Sequence, residues 1–219
     1  REVTLAVPEM RLWSPSDPYL YDLEIKVLRD GVAADAVKGY TAMRKISYAA
    51  DKDGHKRMLL NNEPLFQYGP LDQGWWPDGL YTAPCDEALA FDIEKTKEMG
   101  FNLIRKHVKV EPARWYWHCD RLGVLVWQDM PSIADNSTNV WDNRTYENGT
   151  DTPVPDDAKA NYFKEWGEIM SAFKVFPCIV TWVPFNEAWG QFDTEEVVKF
   201  TRAQDPTRLI NYASGGNFV

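Results

Sequence analysis

From Leu65 onward the chain alternates apolar runs of strand length with stretches of helix length, and this alternation narrows the possible folds more than any single residue does. The apolar runs are LFQYGPLD, FNLIRKH, VLVWQDM, CIVTWVPF and RLINYAS. Between them lie ALAFDIEKTKEMG, PARWYWHCDRLG, DDAKANYFKEWGEIMSAFKV and DTEEVVKFTRAQ. The first of these carries apolar residues at Leu89, Ile93 and Met99, with Asp86 read as its cap and Gly100 as its stop. The second has Pro112 near its start and Gly123 at its end. Asp193 or Thr194 caps the last, whose first turn holds acids where the helix dipole favours them. The predicted order is β-α-β-α-β-α-β-α-β.

Strands separated by helices of this length pair in parallel through right-handed crossovers. Two closures satisfy that rule, an open doubly wound sheet and a barrel. A nucleotide-binding doubly wound fold asks for a glycine-rich turn after its first strand, where GPLDQGWW places bulky indoles. The strands end instead in Asp72, in Arg105 with His107, in Asp129, and in Asn186 with Glu187. Polar groups gathered at strand C-termini are the pattern of the active face of a (β/α)8 barrel. A full barrel takes about 250 residues and only about 160 follow Arg57, so the expectation is an α/β chain with a partial TIM barrel of about five strands.

Residues 1–56 read differently. VTLAV, YLYDLEIKVLRDG and GYTAMRKISYA look like strands punctuated by turns, with Gly31 as one of them. In the second, Leu20, Asp22, Glu24 and Lys26 alternate with Tyr21, Leu23, Ile25 and Val27, the pattern of a half-buried antiparallel strand. Three strands are too few for a sandwich, so this part is an appendage or the tail of a larger β-domain. The domain boundary is placed between residues 56 and 57.

Hydrophobic residues make up 44% of the chain, enough for a sizeable core. A net charge of −9 argues against nucleic acid or an anionic membrane surface as partner. No membrane span or signal peptide is legible, but REVTLAVPEM reads as the interior of a longer sequence. A removed leader, and with it a periplasmic or secreted setting, therefore stays open. Ten tryptophans fit either a packed core or a groove for sugar rings, whose apolar faces stack on indole. Cys85, Cys119 and Cys178 lack metal-ligand spacing and are read as buried small hydrophobes. Three glycosylation-type triplets at Asn136, Asn143 and Asn148 are read as part of a solvated loop over 131–155.

Several phrases together resemble glycoside hydrolase family 2, the β-galactosidase, β-glucuronidase and β-mannosidase group. LWSPSDPYLYDLEIKVLRDG is similar to the end of that family's immunoglobulin-like β-sandwich, where W-P-x-Y-L leads into a strand. LLNNEPLFQYG is similar to the start of its barrel. GFNLIRKH, DRLGVLVWQDMP and IVTWVPFNEAWG resemble its second, third and fourth barrel strands, and the last is the most specific.

The resemblance implies hydrolysis of β-linked O-glycosides by a retaining, double-displacement route, β-galactosidase-like, with Glu187 as general acid/base. It places the nucleophile on a seventh strand, so these residues hold half of a catalytic pair, and this chain alone is expected to be inactive. The expected substrate-binding residues are Asn186, Arg105, Asp72, Trp75, Trp76, Asp129, Trp189 and His107. Asn186 can bond a sugar hydroxyl beside the reacting carbon, and Trp182 with Trp189 can give Glu187 an apolar surround. His107 stands one position earlier than the family's N-x-x-R-x-x-H-Y-P, Gln128-Asp129 replaces an acidic pair, and Asp72 replaces an Asn-Arg-His-Glu phrase. No cofactor or metal is expected. The partners expected are a carbohydrate substrate and, to cover the open sheet, the rest of the barrel or a second copy. A non-catalytic carbohydrate-binding or structural domain is the alternative.

Overall fold

The computed structural model describes residues 3–133 and 153–215, so the three triplets and most of the loop around them lie outside the described residues. Its first regular element is a hairpin of β1 (Tyr21–Arg29) and β2 (Val32–Thr41). Asp30 and Gly31 connect them, with φ of 53° and 81°. Two consecutive left-handed residues make the turn whose twist matches paired strands, and Asp-Gly is the dipeptide that accepts it. The antiparallel pairing runs from Tyr21↔Thr41 to Arg29↔Val32. The expected half-buried face is kept only at Tyr21 and Leu23, which are partly buried, while Ile25, Val27, Leu28, Val32 and Val37 are all exposed. VTLAV forms no strand either. Alternation alone marked a sheet face, but nothing described here covers it.

A second antiparallel sheet joins β3 (Ile46–Ala50), β4 (Lys56–Leu60) and β5 (Glu63–Pro64). The α/β part follows: β6 (Leu71–Asp72), α1 (Asp86–Glu98), β7 (Leu103–Lys106), α2 (Ala113–Leu122), β8 (Leu125–Asp129), α3 (Asp156–Phe173), β9 (Ile179–Val183), α4 (Thr194–Gln204) and β10 (Leu209–Ile210). The strands lie in the order β10-β9-β8-β7-β6, all parallel. Order in space follows order in sequence without a reversal. The helices share one face: Trp115 of α2 lies under Lys106, Tyr116 of α2 bonds Gln128, and Trp166 of α3 meets Trp182 edge-on. A sequentially ordered parallel sheet with helices on one face is an arc of a barrel, not a doubly wound sheet.

β6 and β10 are shorter than expected. Backbone pairing nevertheless continues beyond each, through Asn102 N–H to Tyr68 O and Arg105 N–H to Pro70 O on one side and Phe185 N–H to Tyr212 O on the other. Pro70 has no N–H to give the ladder. Gly69 passes so close to β7 that a side-chain carbon there would lie 1.6 Å from Leu103 O. The α1 boundary also differs from expectation. Cys85, exposed, is the N-cap, and Asp86 lies inside the first turn. The Asp86 carboxylate is drawn instead to Arg114 (2.6 Å) and His118 (3.1 Å) on α2, which hold its pKa well below the usual range.

The N-terminal strands meet the barrel arc at the end where its strands begin. Trp13 is fully buried and donates to Asp120 O at 2.8 Å. Tyr40 Oη donates to Asp120 Oδ2 at 2.7 Å, while Oδ1 accepts the Cys178 N–H at 2.7 Å. Arg44 reaches the carbonyls of Pro177 and Ile179 at 3.0 and 2.9 Å. Burial pushes the Asp120 carboxyl up to about 6, against the lowering effect of these hydrogen bonds. Among the described residues, no helix is long and apolar enough to cross a membrane.

Candidate active site

The opposite end of the sheet collects the polar strand ends. Residues alternate between faces, so Ile104, Lys106, Val126, Gln128 and Trp182 look toward the helices, while Arg105, Trp127, Asp129 and Thr181 look toward the concave side. Arg105 pairs in register with Trp127, and Asp129 comes two residues after Trp127 on the same face. That geometry brings the guanidinium onto the carboxylate. Arg105 Nε donates to Asp129 Oδ1 at 3.0 Å and Nη2 to Oδ2 at 2.8 Å, a two-pronged ion pair. Nη2 also donates to Asn186 Oδ1 at 2.9 Å. Asp129 is fully buried and Asn186 almost so. Burial raises the Asp129 pKa, and the bonds from Arg105 oppose the shift.

Glu187 follows directly and is exposed. Its N–H donates to Ala213 O at 3.1 Å, so the backbone here is still tied to the segment after β10. Glu187 and Ala188 have φ of 50° and 63°, and Trp189 N–H closes the turn on Asn186 O at 2.9 Å. Left-handed backbone in a non-glycine residue costs about 1–2 kcal/mol, and such positions cluster at functional sites. The Glu187 Cγ lies 3.8 Å from where a side chain on Gly215 would begin, an ordinary contact distance, so the segment after β10 runs beside Glu187.

The remaining expected site residues divide. His107 stands next to the cluster, with Nδ1 3.0 Å from Gln73 Nε2 and its N–H donating to Asp72 O. Asp72 does not join Arg105. It pairs in register with Lys106, and its carboxylate binds Lys106 Nζ at 2.5 Å and the Gly74 N–H at 2.7 Å. Trp75 is exposed, edge-on to Tyr81 at 4.4 Å, while Trp76 is half-buried and bridged to Leu80. Trp189 is half-buried. Trp182 cannot surround Glu187: it is buried against Trp166 and donates to Asp205 Oδ2 at 2.9 Å, on the helix side. Its place in the strand, one residue out of phase with Thr181 and Val183, decides that.

Sequence reasoning missed two groups. Trp127 donates to Gln67 Oε1 at 2.7 Å on the concave side, and its i, i+2 relation to Asp129 could have found it. Lys106, Lys109 and Glu111 form a buried cluster, with Glu111 Oε1 2.9 Å from each ammonium. No local pattern announces that cluster. Among the described residues, one group of three has metal-ligand proximity, Asp51, Asp53 and His55 in the β3–β4 turn. Asp51 there is already engaged by Arg57 at 2.8 Å and by the N–H groups of Asp53 and His55.

A family model described as "Glycosyl hydrolases family 2, TIM barrel domain" matches residues 80–218, and one described as "Glycosyl hydrolases family 2" matches residues 1–44. The β-galactosidase large subunit of Leuconostoc lactis is 27% identical over 222 residues, 95% of this chain and 33% of that protein. A β-galactosidase of Vibrio cholerae is 25% identical over 216 residues, 98% of this chain and 20% of that one. This chain thus spans a fifth to a third of the length of these curated relatives. Among solved structures, a β-D-glucuronidase of Dictyoglomus thermophilum superposes with a TM-score of 0.74 at 22% identity, covering 91% of this chain and 34% of that one. A β-glucuronidase of Parabacteroides merdae gives 0.70 at 18% identity, covering 91% and 24%.

Proposed function

The chain belongs to glycosyl hydrolases family 2, and from that premise we propose that it serves the hydrolysis of β-linked O-glycosides with Glu187 as general acid/base. The observation that carries this reading is Glu187 standing, exposed, beside an Asn186 whose oxygen is fixed by Arg105. In the first step the Glu187 carboxyl gives its proton to the leaving oxygen as the bond to the anomeric carbon breaks. A second carboxylate bonds to that carbon from the other face. In the second step the ionised Glu187 takes a proton from water, which displaces the carboxylate and restores the configuration.

Arg105 spends its fork on Asp129 and Asn186, so it orients the Asn186 amide. Because a guanidinium only donates, the amide oxygen must face it, and Nδ2 is left to donate to a sugar oxygen. Trp75, Trp76, Trp189 and His107 are proposed to border the substrate. Asp72 is assigned to holding the Gly74 turn. Residues 1–56 are proposed to end a sandwich domain and 57–219 to begin the barrel. The rest of the barrel, or a second copy, would then cover Phe66, Tyr68 and Leu71 along the exposed β6 edge.

A sugar-binding role without turnover is the second reading. Its basis is that the acids at the neighbouring strand ends, Asp72 and Asp129, are already held by cations, so turnover depends on a second carboxylate from another part of the protein. Nitrophenyl β-glycosides assayed on the full-length protein and on its Glu187→Gln variant separate the two. Turnover that the variant loses is expected. An undiminished variant removes Glu187 from the mechanism, and a wild type that binds sugar without turning it over supports the second reading.

A further inference from the structure

The loop between β6 and α1 is built more rigidly than its exposed position requires. Trp76 and Leu80 exchange both backbone hydrogen bonds, at 2.7 and 3.0 Å, so the segment closes on itself. Lys109, only 3% exposed, then ties down both ends: its ammonium donates to Gly74 O at 2.7 Å and to Tyr81 O at 3.0 Å. The same ammonium lies 2.9 Å from Glu111 Oε1 and 4.7 Å over the Tyr81 ring. Gly74 has φ of +64°, and a side-chain carbon there would come within 2.6 Å of Lys109 Nζ, so only glycine permits the approach.

What this scaffold presents outward is aromatic. Trp75 is 58% exposed and Tyr81 46%, their rings at 87° with centroids 4.4 Å apart. Burying an ammonium against a carboxylate is a poor way to gain stability alone, since apolar side chains of similar size do as well or better. It is an effective way to fix two carbonyls, and with them the rings between. The loop leaves the same sheet end as Glu187. Gln73, next to Gly74, is joined to His107 at 3.0 Å, beside the Arg105–Asp129 pair. Three strand spacings of about 4.8 Å separate β6 from β9, so the chain segments that carry the rings and Glu187 leave the rim about 14 Å apart, a separation that one pyranose ring does not span and a short oligosaccharide does.

We propose that Lys109 is a positioning residue that holds Trp75 and Tyr81 as a stacking platform for a sugar unit beyond the scissile bond. The assignment of that unit to the leaving-group side rests on the glycosidase reading. The apolar C–H face of a pyranose lies on the Trp75 indole, and the perpendicular Tyr81 ring walls one side.

The test is calorimetric titration of the full-length Glu187→Gln protein, which leaves substrate intact, with β-linked galactosyl, glucuronyl and glucosaminyl tetrasaccharides and the matching monosaccharides. The wild-type loop should favour a tetrasaccharide over its monosaccharide. Trp75→Ala should cut that affinity ratio about tenfold, the effect of one aromatic stacking contact. Lys109→Met should move it the same way and Lys109→Arg should partly restore it. Should Lys109→Met fail to fold, the exposed Tyr81→Ala variant reads the same ratio. A ratio unchanged by Trp75→Ala, or no preference in the unaltered loop, overturns the platform. Failure of the glycosidase reading shows separately, as absence of nitrophenyl glycoside turnover by the protein with Glu187 intact.

Discussion

Arg105 Nη2 lies 2.9 Å from Oδ1 of Asn186, a bond between the ends of β7 and β9 that crosses over β8. The strand in between supplies Asp129, whose carboxylate accepts from Nε and shares the same Nη2 with Asn186. Three consecutive strands are thereby locked at one end, and the amide next to Glu187 is held in one orientation.

Replacing Arg105 by Met is expected to destabilise the protein by about 3–5 kcal/mol, because Asp129 is left buried without its cation. Arg105→Lys should recover part of this but not the two-pronged geometry. Urea denaturation of the two variants checks the order. Loss of glycoside turnover in Arg105→Lys with most of the stability retained would mark the Asn186 contact as the one that matters for chemistry.

Glu187→Gln is expected to lower kcat by about 10²–10⁴ on substrates that need protonation of the leaving group, the usual contribution of a general acid. Glu187→Asn should be equally inactive yet more stable than Glu187→Gln by about 0.5–1 kcal/mol. Asparagine tolerates the left-handed backbone at this position better than glutamine. Paired thermal melts decide it.

Gly69→Ala should prevent folding or cost well over about 3 kcal/mol, since no backbone shift short of separating β6 from β7 clears Leu103 O. Gly39→Ala, where a side-chain carbon meets nothing within 4 Å, is the control expected to fold. Soluble yield and circular dichroism of the two variants give the comparison.

The pH dependence of stability should carry two opposing limbs. Asp120 has a folded-state pKa of about 6, above the usual carboxylate value near ~3.9. The folded state therefore holds its proton more tightly, and its contribution is full below pH ~4 and lost as pH rises through about 6, on the order of 3 kcal/mol. Asp205 behaves oppositely. Burial pushes its pKa up, but Arg208 at 2.5 Å and the donors from Thr207 and Trp182 outweigh that and bring it to about 2. Its contribution is present above pH ~4 and lost as pH falls toward 2. Asp120→Asn keeps an acceptor for the Cys178 N–H. Its melting temperature should therefore gain on wild type as pH rises from 4 to 8, and a constant difference would remove Asp120 as the origin of the upper limb.

Much of this protein can be read without coordinates. Apolar runs separated by helix-length stretches specify parallel strands with crossovers, because a short connection cannot return a strand to the same direction. Strand-end polar residues then locate the rim, and the Asn186-Glu187 pair is where the proposed chemistry is assigned. What the sequence does not carry is which side of each strand meets the helices and what stands opposite each charge. Trp182 and Thr181 are neighbours in sequence but belong to different faces, and only the register across β8 and β9 assigns them. Asp72 resembled a site residue until its pairing with Lys106 committed its charge to the helix side. Lys106 and Lys109 carry no local mark of burial, since the Asp72 carboxylate and the Gly74 and Tyr81 carbonyls that help to hold their ammonium groups inside come from another part of the chain. Periodicity is a property of one segment, and so the sequence settles it. Pairing is a property of two segments, and only the packed structure settles that.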